Sequence, residues 1–355
     1  MSLIPSEVPF SARVTASEMR SMCCRSDHEG VSSVCALFNT AVCRKSVSVI
    51  DSFNRTFGII ARELSAVNEL RNIAGSVPRE RRLQDWLSTT NAPHGRVAYA
   101  PPGAGGSIFG GALLAQSLQV ASLGVDDKQR PHSLQMSFLR AGDITQPVLY
   151  GRVVLNETKR FSTIRVAANQ NGRLIATSTA SFHSPESSPE HAAEAATRWA
   201  KPGSGTDAVG GALPPIGSFM RNSFELHAAE PTDSQRLGQG APVGIWMRAS
   251  TLVDQPAIRH ASALAWASDF AMTHVADLEH QHLAGPRFAT SLNHSLWFHR
   301  PFAMTEWLLH EVESPVYRDA LALSVGRFFD ERGRMVASVA QESLLRRSAP
   351  NPFDR

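Results

Sequence analysis

No cysteine occurs beyond Cys43: the four thiols, Cys23, Cys24, Cys35 and Cys43, sit in the first 43 residues of a 355-residue chain. A cysteine nucleophile is therefore excluded from everything that follows, and the spacing fits no common zinc pattern, so ordinary reduced thiols are expected. No apolar run approaches the roughly 18 residues that cross a bilayer, and the N-terminus lacks the compact apolar run of a secretory signal. Charge of one sign is lacking too. The 35 basic and 32 acidic side chains are interspersed and leave a net +3, so there is no electrostatic footprint for nucleic acid or an anionic membrane. A phosphate-bearing small ligand needs only a few local Arg or Lys. Residues 1–55 are rich in Ser but carry Glu7, Glu18, Asp27, Glu29 and Asp51 among their basic residues, whereas a transit peptide is poor in acids. The C-terminal NPFDR is not a Ser-Lys-Leu signal. The expectation is a soluble intracellular, cytoplasmic protein, with mitochondrial and peroxisomal locations left open.

The usual catalytic signatures are also missing: no Gly-x-Ser-x-Gly elbow, Gly-Lys-Ser/Thr phosphate loop, Gly-x-Gly-x-x-Gly or His-Glu-x-x-His appears. The glycine-rich run PPGAGGSIFGG (101–111) admits two readings. Its backbone N–H groups suit a phosphate or a developing oxyanion at a helix start, or it is a flexible lead into a closely packed helix. His274, Asp277, His280 and His282 lie near enough to suggest a metal, yet the helix that would align them is not sustained to residue 282. A polar helix end is expected there, with no metal.

What the chain does contain is a copy of itself. QNGRLIATSTASF (170–182) aligns without gaps with ERGRMVASVAQES (331–343) at an offset of 161, and the His-Ser-Leu of 132–134 returns at 294–296, an offset of 162. Two matches in one order mark a duplicated unit. In the first, IFGGALLAQSLQVASL (108–123) reads as a helix, followed by strands at 132–139, 147–156, 160–169 and 173–182. Asn171-Gly172 is a hairpin signal, since both residues tolerate positive φ. In the second, residues 256–278 carry a helical pattern, followed by strands at 294–299, 305–314, 320–330 and 334–345. One helix and a run of antiparallel strands is an α+β plan in which a curved sheet covers the helix. The Ser-, Pro-, Gly- and Ala-rich segment 184–217 between the units reads as a linker, with one helical stretch near 189–200.

Polar residues found in one copy only are candidates for chemistry. Met335, Ala337 and Val339 alternate onto one strand face, and Gln341 follows on that face where the first copy has Ala180. A buried amide without partners costs roughly 1–3 kcal/mol, so Gln341 is expected to meet polar groups; the bland reading is the end of a strand. Asp269 falls on the stripe Ala261, Ala265, Asp269, Met272, Ala276 of the second helical pattern, a poor place for a carboxylate unless it has work there or pairs with an Arg. Ser291, just before Leu292-Asn293-His294, reads as a turn serine or as a third member of the group.

The runs FGGALLAQSL (109–118), HSLQMSFLRAGD (132–143), FSTIRVAANQNGRLI (161–175), ASDF (267–270), NHSLWFHRPF (293–302), EWLLHEVESP (306–315) and GRMVASVAQESLLR (333–346) together resemble the acyl-CoA thioesterase II, TesB-like family. The resemblance implies a tandem (double) hotdog, and hydrolysis of acyl-CoA to a free carboxylic acid and CoA. It also implies a water oriented by an Asp on the second helix, a hydroxyl before the His-Ser motif and a Gln on the last strand, here Asp269, Ser291 and Gln341. Acyl-CoA is then the substrate, no cofactor is needed, and a homo-oligomer is expected. The expected organisation is an N-terminal extension at 1–75, a first hotdog unit at 76–183, the linker at 184–217, a second unit with the catalytic residues at 218–347 and a tail at 348–355. Two positions depart from the family: Asn293 stands where Asp is common and Ala112 where Gln is common. They keep a second reading open, a catalytically degenerate double hotdog that binds acyl-CoA or a partner protein.

Overall fold

The computed structural model describes residues 81–193, 199–200, 202, 217–232, 242–282 and 287–347, all within one compact unit. The expected N-terminal extension, the four cysteines and the tail lie outside the described residues. Among these residues no helix is long and apolar enough to cross a membrane.

Both halves follow the expected plan of a helix wrapped by antiparallel strands. The first runs α1 (Leu83–Trp86), β1 (Thr90–Ala92), β2 (Gly95–Ala98), α2 (Gly110–Ser122), β3 (Arg130–Phe138), β4 (Val148–Glu157), β5 (Phe161–Gln170) and β6 (Arg173–His183). The second runs α3 (Ser218–Arg221), β7 (Glu225–Ala229), β8 (Val243–Arg248), α4 (Ala257–Ser268), α5 (Met272–Leu278), β9 (Arg287–Phe298), β10 (Leu308–Arg318), β11 (Leu321–Asp330) and β12 (Met335–Arg347). The strands form one twelve-stranded sheet in the order β1-β2-β4-β5-β6-β3-β9-β12-β11-β10-β8-β7, so the two halves mirror each other about the β3/β9 pair.

Residues Gly111 to Ser117 of α2 and Ala261 to Ser268 of α4 are buried on every side, the mark of a helix enclosed rather than laid on a surface. Their small side chains let the two helices meet, and Gln119 Nε2 joins them by donating to Ser262 Oγ at 2.8 Å and the Ile258 carbonyl at 3.2 Å. The polar residue in the middle of α2 is satisfied: Gln116 donates to the carbonyls of Trp86 and Tyr99 at 2.7 and 2.8 Å and accepts from the Tyr150 hydroxyl. The β5–β6 hairpin turns at Asn171 (φ 49°) and Gly172 (φ 71°) as its sequence requires.

Two expectations need correction. The second helical pattern does not form one helix over 256–278. It breaks at Ala271, which adopts a left-handed conformation (φ 72°, ψ −14°), costing roughly 1–2 kcal/mol; Asp269 becomes the C-cap of α4 instead of an interior residue. Strand β9 begins at Arg287 rather than His294, because β12 continues to Arg347 and offers partners that far, Arg347 pairing with Arg287. Ser291 is therefore a strand residue, not a turn residue. The middle of the helical stretch expected near 189–200 falls on 194–198, outside the described residues; farther on, Trp199 docks against the second half, its indole N–H donating to Glu311 at 2.8 Å while Arg327 holds the same carboxylate at 3.0 Å.

His310 on β10 is fully buried and stacked on Phe328 at 4.1 Å, and neither ring nitrogen has a hydrogen-bond partner among the described residues. Burial, with His294 nearby, holds its pKa down at about 3 against an ordinary 6.5. The unfolded chain then takes up a proton that the fold refuses, so this contribution to stability is complete above pH 6.5 and is lost progressively as pH falls toward 3. By pH 5 the loss is roughly 2 kcal/mol. Thermal melts of His310→Leu between pH 7 and 5 are expected to show a shallower fall of Tm than the wild type, whatever the variant's stability at pH 7.

Candidate active site

The N-terminus of α2 meets the C-terminus of α4 at a pair of glycines. A Cβ on Gly111 would lie 2.3 Å from the Trp266 carbonyl oxygen, and one on Gly110 would lie 2.9 Å from Asp269 Oδ2, so only glycine lets the helices approach this closely. The Gly111 N–H is consequently free to donate to Asp269 Oδ2 at 2.8 Å. The glycine-rich run packs tightly where it enters α2, and its Gly111 amide is taken up by the protein's own carboxylate rather than left for a phosphate or an oxyanion. The positive end of α2 adds to the hold.

The structure brings Asp269, Ser291 and Gln341 together. Ser291 on β9 donates from Oγ toward Asp269 Oδ1 at 3.5 Å, and Gln341 Nε2 on β12 donates to Ser291 Oγ at 3.0 Å. Gln341 is fully buried, and its face of the strand continues inward through Ser343 and Leu345, which removes the strand-end reading. Its Nε2 also lies 3.1 Å from Thr273 Oγ1 and 3.3 Å from Ser343 Oγ. On the other side Oε1 is 2.6 Å from His294 Nδ1, and His294 Nε2 is 2.9 Å from Ser268 Oγ.

Burial pushes the Asp269 carboxyl up from 3.8 to about 6, against the opposing pull of the hydrogen bonds from Gly111, Ser291 and Gln341. The ionised form is thus available at neutral pH yet basic enough to accept a proton. Burial drives His294 the other way, down to about 4, so it is neutral at working pH.

Of these groups Asp269, Thr273 and Ser291 line a cleft of about 810 Å³ between the halves, with Gln341 and His294 buried behind them. Ile108, Phe109, Leu113, Phe138, Phe219 and Met220 give it an apolar side, and Arg140 and Arg346 line it as well. The loop bearing Arg140 is fixed by Gln170, whose amide donates to the carbonyls of Asp143 and Gln146 at 2.8 and 2.9 Å and accepts from the Asp143 N–H at 2.8 Å.

Sequence reasoning missed Thr273, His294, Ser343 and Ser268. Alternation along β12 puts Ser343 beside Gln341, and His294 stands in the very repeat that exposed the duplication, so signals for these two were present. The departure at position 293 does not reach the site: Asn293 is exposed on the opposite face of β9 and donates to Glu342 at 2.8 Å. Ala112 is buried in the core. Among the described residues no group of three or more His, Cys, Asp or Glu is placed to hold a metal; α5 ends at Leu278, short of His280 and His282.

Two enclosed helices under a shared sheet define a double hotdog, with one half-buried carboxylate at their junction. Residues 99–183 match the family described as acyl-CoA thioesterase N-terminal domain, and residues 220–344 the family described as acyl-CoA thioesterase. Acyl-coenzyme A thioesterase 8 of Mus musculus is 30% identical over 272 residues, covering 67% of this chain and 80% of that protein. Among solved structures, the acyl-CoA thioesterase II TesB2 from Mycobacterium marinum superposes with a TM-score of 0.60 at 28% identity, covering 76% of this chain and 99% of that one. A hot dog-fold protein of unknown function from Alicyclobacillus acidocaldarius gives 0.62 at 17% identity over 76% and 98%, a likeness of fold alone. The chain belongs to the acyl-CoA thioesterase II, TesB-like family.

The carboxyl of Asp269, followed by ¹³C NMR of aspartate-labelled protein and assigned by its loss in Asp269→Asn, is expected to titrate near pH 6. Ser291→Ala removes a bond to the carboxylate, so its midpoint should lie higher; an unmoved midpoint would mean that the 3.5 Å contact carries no weight.

Proposed function

We propose that this protein hydrolyses acyl-CoA thioesters by direct attack of a water activated by Asp269, with Ser291 and Gln341 fixing the water's position. The observation that carries the reading is the Asp269 carboxyl, raised to about 6 and lining the cleft beside Ser291. Oδ2 is taken up by Gly111, which leaves Oδ1 to accept a proton from water. The water oxygen forms a bond to the thioester carbonyl carbon, the proton passes to Asp269, and the C–S bond breaks as the tetrahedral intermediate collapses. The departing thiolate is a modest base, with thiol pKa values near ~8.5 for cysteine, so it leaves without a dedicated acid and recovers the proton from Asp269 or solvent. Gln341 does not titrate; its part is positioning. General-base help of this kind is worth roughly 10²- to 10⁴-fold.

Asp269→Asn and Gln341→Ala are expected to lower kcat by more than about 10-fold while the proteins stay folded. Thiol release measured across several acyl chain lengths tests this, and wild-type rates in either variant would sink the assignment. For the wild type, kcat should fall below about pH 6, where Asp269 takes up its proton. Rapid-quench mass spectrometry is expected to find no acyl group on Ser291; finding one would replace water attack with a covalent route.

The apolar side of the cleft suits an acyl chain, and Arg140 and Arg346 suit the phosphates of CoA. The double variant Arg140→Ala/Arg346→Ala is expected to raise KM for acyl-CoA but not for the matching acyl-pantetheine, which lacks the nucleotide, with kcat little changed for either.

A further inference from the structure

Gln341 donates to hydroxyls from one end of its amide and accepts at the other, but hydroxyls alone do not dictate that orientation. Ser291, Thr273 and Ser343, at 3.0, 3.1 and 3.3 Å from Nε2, all carry hydroxyls, which bond equally well to an N–H₂ or to a carbonyl oxygen. The discriminating contact lies on the far side, where His294 Nδ1 is 2.6 Å from Oε1. We infer that His294 is a positioning residue that sets the polarity of the Gln341 amide and, through it, the direction of the hydrogen bond between Ser291 and Asp269. The inference rests on the hydrolytic reading above for its effect on rate, and on geometry alone for the orientation.

A neutral imidazole carries one N–H. Ser268 Oγ, 2.9 Å from His294 Nε2, is a hydroxyl that fits either tautomer. Gln341 Oε1 can only accept, so its 2.6 Å contact places the ring proton on Nδ1; Nε2 is then the acceptor, and Ser268 shares its one hydrogen between Nε2 and the Ala265 carbonyl, each at 2.9 Å. Donors then run in one direction: Ser268 O–H to His294 Nε2, His294 Nδ1–H to Gln341 Oε1, Gln341 Nε2–H to Ser291 Oγ, and Ser291 O–H to Asp269 Oδ1. With the proton on Nε2 instead, Nδ1 would be an acceptor and the amide would turn its N–H₂ toward it. Oε1 would then face the hydroxyls, and Ser291 would spend its hydrogen on Gln341 rather than on Asp269. One tautomer supports the carboxylate; the other leaves it short of a donor.

The first half shows the same histidine without this task. His132 opens the matching His-Ser-Leu, but it is partly exposed and sits at 6.3–6.4 Å from the rings of His183 and Phe161, while Ala180 replaces the amide. The buried form of the motif goes with the glutamine. The titratable groups around the chain are Asp269 and His294 themselves, His310 beside His294, and His274 and Asp277 on the cleft wall.

Long-range ¹H–¹⁵N correlation spectra of the full-length wild type, with His294 assigned by its loss in His294→Leu, report the tautomer without substrate. The expected result is a protonated Nδ1 and an unprotonated Nε2 near pH 7.5; the opposite tautomer, or a doubly protonated ring, overturns the inference. In kinetics, His294→Leu is expected to lower kcat by about 10- to 100-fold with KM little changed, and to move the acid limb of kcat above the wild-type position, because Asp269 loses the Ser291 donor. His294→Asn, whose Nδ2 can take the place of Nδ1–H, should recover part of kcat and return the limb toward the wild type. An unshifted limb in a folded His294→Leu, or a rescue by Asn no better than Leu, overturns the inference. If wild-type protein releases no thiol from acyl-CoA, the hydrolytic reading fails while the NMR result still decides the orientation.

Discussion

Leu134 and Leu296 face each other across β3 and β9, and both are fully buried. They are also each other's counterparts in the repeat, separated by its 162-residue offset. A residue paired with its own copy marks the point where a pseudo-two-fold axis passes between the strands, as in an isologous dimer interface. Everything else follows from that register. It merges two six-stranded halves into one sheet, it brings the two enclosed helices side by side, and it delivers the start of α2 to the end of α4. Slipping it by one residue would put the two leucines on opposite faces of the sheet and part Gly111 from Asp269.

That meeting of helix ends explains how a carboxylate is kept ionisable in the interior. The last turn of α4 repels a negative charge and the first turn of α2 attracts one, while burial taxes it regardless. Hydrogen bonds from Gly111, Ser291 and Gln341 offset only part of the penalty, which leaves Asp269 a stronger base than a surface aspartate. Stability runs the other way. The fold favours the protonated carboxyl, so that contribution is present below the ordinary 3.8 and is lost as pH rises through about 6. The ionised carboxylate is therefore the less stable form.

The sequence exposed the duplication, the α+β plan, most strands and the asymmetry between Ala180 and Gln341, because these rest on period-two alternation and on direct comparison of the copies. Asn293, read from the family pattern as a loss near the site, faces outward because its neighbour His294 faces inward. The break at Ala271 was not legible. Alanine is the best helix former, and nothing local forecasts a positive φ there; the turn is held from outside, by Asp269 on Gly111 and by Ser324 donating to the Met272 carbonyl at 2.7 Å. The short edge strands β1, β2, β7 and β8 also escaped notice, since they are recruited by a neighbour's open edge more than by their own composition.

Joining both halves in one chain makes their inequality heritable. In a symmetric pair of single units every substitution appears twice, so an amide at the position of Gln341 would be forced on both sides of the axis, along with the polar partners it demands. Here Ala180 packs against Leu134 and asks for nothing, while Gln341 draws Ser268, Thr273, Ser291, His294 and Ser343 around it. One half can be tuned for shape and the other for reactivity, and a mutation in either is judged on a single criterion.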